Sequence, residues 1–489
     1  MGLSVQNIIS KRVIYLLFIL LITDLSYSFV QHLKMPLDGD MAECILPSKE
    51  LQKIFEDPLG LTVISKNAVY PNPNRFFGQW TYSKYFKHLP STLQNIVSPI
   101  ESIYLSCAIA KIIIQIGLLI LLAFYITGTR KIFNTAFLLA IIIIVPLFQT
   151  NGYRSYMGII DPSITYTFFY ALPCTLLLLF YLPFFNVSFY QTNFISNKLG
   201  LILLFVFTIF LTLNGPLTPG IVLVISLLYF FYQIKSNYRQ FVDSSFILKI
   251  IKSLKIIPKA HFIYFTSISI LSLYSLYIGS HNYNSIYESD NISIYERYIR
   301  LPMGLYYLLT QKIGFPILLI MIGINAYLIN RKLRNEEGIK ILNLLKWIGV
   351  FSLFYILLLP LGGYRNCRPN IIRYDTIMPV TIALILIYGM STYFLIKNSK
   401  PYFLKRYLPV IIVFSMIFTF ADKPEFSKND CEKKALEAIS LSKDYTVLVE
   451  YDCSILAWGK IEDPTKSELN AQLLEYWGIT KKKKLYYQK

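Results

Sequence analysis

"KRVIYLLFILLITDLSYSFVQHLKMPLDGDMAEC" runs from Lys11 to Cys44 and joins two segments of opposite character. Its first part, 13–30, is a predominantly apolar run preceded by Lys11 and Arg12. At 1.5 Å per residue, about 17 to 25 apolar residues cover the roughly 30 Å of bilayer hydrocarbon, so this run reads as a membrane helix. No small-residue cleavage site separates it from the polar segment that follows. The expected element is therefore a retained helix with its basic flank, and the N-terminus, in the cytoplasm.

Similar runs recur along the chain. Of 489 residues, 55% are hydrophobic and 15% charged, the mean hydropathy is +0.50, and a typical soluble domain carries roughly a quarter charged residues. The expected fold is an all-α polytopic membrane protein with about eleven transmembrane helices. They fall at 13–30, 102–126, 132–148, 164–184, 199–214, 217–234, 262–279, 303–330, 341–361, 375–396 and 407–420. Lys and Arg gather in alternate loops: Arg130 and Lys131, then Lys235 to Lys259, then Arg331 to Lys340, then Lys397 to Arg406. That bias marks cytoplasmic loops and spreads the net charge of +19 along the chain. A single basic face with interleaved aromatics is missing, which excludes a nucleic-acid partner.

This orientation makes residues 1–420 a transmembrane domain with a long outward loop at 31–100, and 421–489 a small soluble α+β tail, also outward. The tail reads as helix, strand, strand, helix, followed by a solvated lysine run, Lys481–Lys484. At roughly 65 residues it is too short for a large core of its own and is expected to cap the outer surface. Cys431 and Cys453 lie in this tail, where an oxidising compartment permits a disulfide. Cys44 with Cys367 is a second possible pairing between outward segments.

Two outward stretches are unlike ordinary connectors. "LDGDMAEC", Leu37 to Cys44, places Asp38, Asp40 and Glu43 just past the first helix. In an extended chain Asp38 and Asp40 share a side, and in a helix Asp40 and Glu43 share a face. Either pair can bind a divalent cation such as Mg or Mn, or take a proton from a hydroxyl; a turn with a helix cap is the plainer alternative. "GGYRNCRPNIIRYDT", Gly362 to Thr376, places Arg365, Arg368 and Arg373 in a short outward loop, against the positive-inside bias. Guanidinium groups grip phosphate through paired hydrogen bonds; lipid headgroups or Asp375 could equally hold them.

The arrangement resembles the GT-C superfamily of integral-membrane glycosyltransferases. The likeness rests on Asp38, Asp40 and Glu43 in the first outward loop, together with the many spans, the basic outward loop and the small tail. It implies a polyprenyl-phosphate-linked sugar as donor, a protein, lipid or glycan acceptor, and an acidic catalytic base in the first outward loop. By that resemblance Asp38 or Asp40 takes the acceptor's proton and Arg365, Arg368 or Arg373 holds the donor phosphate. The spacing differs from the adjacent acidic pair of many members, so both carboxylates stay in play. The site would face outward from the inner or plasma membrane.

Further residues join as substrate-binding candidates. Arg75 sits among Phe76, Phe77, Trp80 and Tyr82, aromatics that serve as interfacial anchors or as acceptor-stacking faces. Tyr153 and Arg154 precede Asp161 and Pro162, which read as the cap and first turn of a helix. Glu296, Arg297 and Arg300 read as a solvated face. No phosphate-loop motif, H-E-x-x-H or C-x-x-C occurs, so neither an ATP-driven pump nor a zinc hydrolase is indicated. Asp24 and Lys111, charges inside apolar runs, keep a transporter or flippase of a lipid-linked substrate as the alternative, with a non-catalytic assembly subunit as the third.

Overall fold

The computed structural model describes residues 11–489 apart from 130, 133, 149–156, 196, 239, 242–244, 284–285, 287–291 and 365–369. The chain is a predominantly helical membrane protein. Among the described residues, nine helices are long and apolar enough to cross a bilayer. They are α1 (11–33), α6 (Pro99–Thr127), α8 (Ile164–Tyr190), α10 (Thr218–Tyr238), α12 (Lys259–Gly279), α15 (Gly314–Lys332), α16 (Glu336–Leu358), α17 (Tyr374–Asn398) and α18 (Pro401–Ala421). Two shorter apolar helices, α7 (Thr135–Ile144, tightened through Phe148) and α9 (Lys198–Thr212), coincide with the two remaining expected spans.

Lipid tails are as apolar as leucine, so these helices are held together by close packing and hydrogen bonds between helices. α17 is the axle: 89% of its most apolar window is buried within the protein, against 11% for α1. It packs against α15, α16, α7 and α6. Asn325 of α15 donates to Ser391 and Thr392 of α17 and accepts from Tyr407 of α18. Three helices are thereby joined where no water competes for the bonds.

One expected span is corrected. The run 303–330 is broken into α14 (Leu301–Thr310) and α15, separated at Gln311–Ile313. Gln311 and Lys312 place polar groups there, and Pro316 suits only the first turn of the helix that follows. α14 follows the short α13 (Ile294–Ile299), which carries an exposed pair, Arg300 to Glu296 at 2.6 Å, as a solvated face should.

The first loop and the tail meet at one end of the bundle. The first loop folds into α2 (Met41–Ile45), α3 (Lys49–Glu56), α4 (Leu61–Lys66) and α5 (Phe76–Leu93). The tail folds as α19 (Asp430–Leu441), β1 (Thr446–Val449), α20 (Glu468–Tyr476) and β2 (Leu485–Gln488), so its order is helix, strand, helix, strand. β1 and β2 pair in parallel, Thr446 opposite Leu485 through Val449 opposite Gln488. The second strand expected before the last helix does not form: the segment around Cys453 is irregular because Cys453 is tied to Cys431 by a disulfide and the Ile455 and Leu456 side chains turn into the core. The lysine run is likewise corrected. Lys483 pairs with Glu468, and Lys484 donates to the carbonyls of Ile439, Ser440 and Ser442, closing the C-terminal end of α19.

The tail has no separate interior. Leu436, Ile455, Trp477 and Tyr486 share one cluster with Met41, Ile45, Tyr82 and Phe86 of the first loop and Ile103 and Tyr104 of α6. Polar ties join the same partners. Trp477 donates to Phe86 O, Gln94 to Trp477 O, and Lys433 pairs with Glu101 at 2.7 Å.

Candidate functional site

In the acidic turn after α1, Asp38 and Asp40 meet different partners. Asp38 is buried at 4% exposure and points into the protein. It accepts from Ser163 Oγ at 2.7 Å, Thr165 N at 3.0 Å, Thr165 Oγ1 at 2.8 Å and Asp40 N at 3.1 Å. Four donors occupy about all the lone-pair directions of a carboxylate. The Tyr82 hydroxyl lies 3.1 Å from Thr165 Oγ1 and extends this network into α5.

Asp40 stands at the N-cap of α2 and is half-exposed. Its Oδ1 accepts from Trp458 Nε1 of the tail at 2.9 Å. Trp458 in turn stacks on Tyr166 of α8, with ring centroids 5.8 Å apart and planes at 25°. Gly39 makes this approach possible, because a Cβ there would lie 2.6 Å from both the Trp458 ring and its backbone nitrogen. Glu43 is exposed and accepts from Ser48 Oγ at 3.4 Å, away from the Asp38 network.

The receiving wall is the start of α8. Asp161 is buried and accepts from Ser163 N at 2.7 Å, while Ser163 Oγ caps Tyr166 N at 3.3 Å. The helix therefore starts after Ser163, and the Asp161-Pro162 pair expected to open it forms the turn before it. Lys111 of α6, buried at 1% exposure, donates to Pro162 O and holds that turn from below. Within α8, Thr167–Ala171 widens into one π turn just ahead of Pro173, which has no N–H to return to Phe169 O. Thr167 Oγ1 bonds back to Asp161 O and Ser163 O, both at 3.1 Å.

The third wall is the N-terminus of α17. The Tyr374 phenol is within hydrogen-bonding reach of Asp161 and close to Tyr166. Arg373 makes a two-pronged pair with Asp375, Nε to Oδ1 at 3.0 Å and Nη2 to Oδ2 at 2.6 Å. Of the two roles open to this arginine, the ion pair with its acidic neighbour is thus formed, and its Nη1 edge lies outside that pair. Arg365, Arg368, Tyr153, Arg154 and Cys367 lie outside the described residues. Arg75 is half-buried at the N-cap of α5, its backbone N–H donating to Asn72 O at 3.0 Å.

Burial and charge act on two groups here. Burial, then the charges of Asp40 and Asp38, pushes the Cys44 thiol well above its ordinary range, so Cys44 is a free, unreactive thiol. Burial and the Asp38 charge do the same to the Tyr82 phenol. A cation site built on Asp38 does not fit its surroundings. The groups around it are hydroxyl and amide donors aimed at the carboxylate, the arrangement for an anion's partner and not for a metal's second ligand. Among the described residues no three His, Cys, Asp or Glu side chains converge. Asp40 is half-exposed, whereas Asp38 is buried.

Trp458, Ser163, Thr165 and Tyr374 were not singled out from the sequence. Trp458 carried the clearest signal, a tryptophan beside Gly459 in a small tail. Glu432 was missed too. It is 1% exposed and accepts from Leu37 N at 2.9 Å, Leu456 N at 3.0 Å and Tyr104 OH at 2.9 Å. It ties the tail to the residue just before Asp38. No protein-family model matches this sequence, and no curated protein matches it significantly.

Proposed function

We propose that this chain is a membrane glycosyltransferase of the GT-C type that moves a sugar from a polyprenyl-phosphate-linked donor to an acceptor at the outer face of the inner or plasma membrane. One observation carries the reading: the acidic turn, the start of α8, the Arg373 end of α17 and Trp458 of the tail converge at one end of an apolar bundle. With the two short apolar helices counted as spans, this reading has eleven, and the basic loops fall on the cytoplasmic side.

In this reading the acceptor's hydroxyl oxygen attacks the anomeric carbon and the bond from that carbon to the phosphate oxygen breaks. Asp40 receives the hydroxyl proton, and the electron pair leaves with the lipid phosphate. The Nη1 edge of Arg373 meets the developing negative charge. Asp38 is a positioning residue: with its oxygens taken by Ser163 and Thr165, it fixes the turn that presents Asp40. A divalent cation, if one assists, would be met by Asp40.

The test is transfer from a radiolabelled polyprenyl-phosphate-sugar pool to endogenous acceptors, in membranes carrying equal amounts of wild type, Asp40→Asn or Asp38→Asn. Asp40→Asn is expected to lose about 10²–10⁴-fold in rate, the usual contribution of a general base, with donor still bound. Asp38→Asn is expected to lower rate and thermal stability together. Full activity in Asp40→Asn would remove the base from this scheme.

A further inference from the structure

A cleft of about 700 Å³ opens on the same end of the molecule, between α3, α5 and α20. Its floor is one face of α5: Trp80, Ser83, Lys84 and Lys87 recur at the three- and four-residue spacing of a helix stripe. Lys49 and Gln52 line one rim and Gln472 of the tail the other. No Asp or Glu lines the cleft, and among the described residues Lys49, Lys84 and Lys87 make no salt bridge. At its edge Ser48 donates to Glu43 at 3.4 Å.

Three lysines and no carboxylate line the cleft, so an incoming anion meets no like charge there. Lys84 and Lys87 are neighbours on one helix face and repel. Burial, then the Lys84 charge, lowers the Lys87 pKa. Trp80 leaves 43% of its surface exposed, a large flat apolar face beside three cations. Phosphate alone would satisfy the lysines but not the indole. A ring bearing a carboxylate satisfies both, by stacking on Trp80 while the carboxylate meets Lys84 and Lys87 and hydroxyls meet Gln52 and Gln472.

We infer that this cleft binds an acidic saccharide, and that such a saccharide is the acceptor. The word acceptor rests on the proposed transfer reaction, whereas the binding does not. α5 connects the two regions physically. Its opposite face carries Tyr82 into the Asp38 network, and its Gln79 and Ser83 side chains hold the carbonyls of Cys44 and Ile45 at 2.9 and 3.2 Å.

The experiment is titration calorimetry on the full chain in detergent without donor, using tetragalacturonate, maltotetraose and tetraglutamate as probes. Tetragalacturonate should bind, weaken with salt, and weaken at least about tenfold in Lys84→Gln/Lys87→Gln, with binding recovered in Lys84→Arg/Lys87→Arg. Trp80→Ala should weaken it similarly. Equal binding of maltotetraose would overturn the acidic requirement, and equal binding of tetraglutamate the saccharide. Unchanged tetragalacturonate binding in the glutamine variant, or none in wild type while anionic vesicles bind, would overturn the site. Because no donor is present, failure of the transfer reaction leaves this result standing, and intact transfer with failed binding overturns only the cleft.

Discussion

At the scale of single residues, two carboxylates two positions apart do different work. Asp38 is consumed by the fold, with Ser163 and Thr165 surrounding it, while Asp40 looks toward Trp458 across Gly39. A methyl group at Gly39 would meet the indole at 2.6 Å, and forcing such an overlap costs about 1–3 kcal/mol. Gly39→Ala is therefore expected to dislodge Trp458, lower the thermal midpoint and slow transfer. A double-mutant cycle checks the cause: in a Trp458→Ala background Gly39→Ala should add little. Additive effects would place its damage elsewhere. The sequence placed this turn correctly but left the two carboxylates indistinguishable, since the residues that separate them, Ser163, Thr165 and Trp458, come from more than a hundred positions away.

At the scale of elements, local pattern was legible wherever it was long. The apolar runs of α1, α6 and α17 appear as helices within a few residues of their expected ends. Where a short polar interruption decides the outcome, as at Gln311–Ile313, hydropathy alone merged two helices into one. The tail was misread for a related reason. The expected second strand does not form: around Cys453 only Ile455 and Leu456 are buried, in an irregular segment held by the disulfide. The lysine run looked solvated because its role depends on carbonyls about 40 positions earlier. Lys484→Met removes the cation that closes α19 and should destabilise the tail by about 1–2 kcal/mol. Earlier cleavage of the tail by limiting protease would register it. Protection equal to wild type would mean that the three carbonyls are satisfied by water.

At the scale of the molecule, the tail and the first loop form one body, and Glu432 is the joint. Burial raises its carboxyl to about 7 from 4.5, although bonds from Leu456, Leu37 and Tyr104 pull it down. A carboxyl raised on folding contributes stability that is fully present below about pH 4.5 and is lost as pH rises through about 7. The difference amounts to about 3 kcal/mol. The thermal midpoint of the tail should therefore fall between pH 5 and 7.5 in wild type and stay nearly level in Glu432→Gln. A midpoint that rises over this window in wild type would reverse the assigned sign.

The central claim is that this body cleaves a sugar–phosphate bond. The most direct measurement is release of polyprenyl phosphate by the purified protein in nanodiscs, supplied with a panel of polyprenyl-phosphate sugars and an acceptor, and followed by mass spectrometry. Wild type is expected to release polyprenyl phosphate matched one for one by glycosylated acceptor, and Asp40→Asn to lose both with donor affinity unchanged. No release from any donor, or release undiminished in Asp40→Asn, would contradict it.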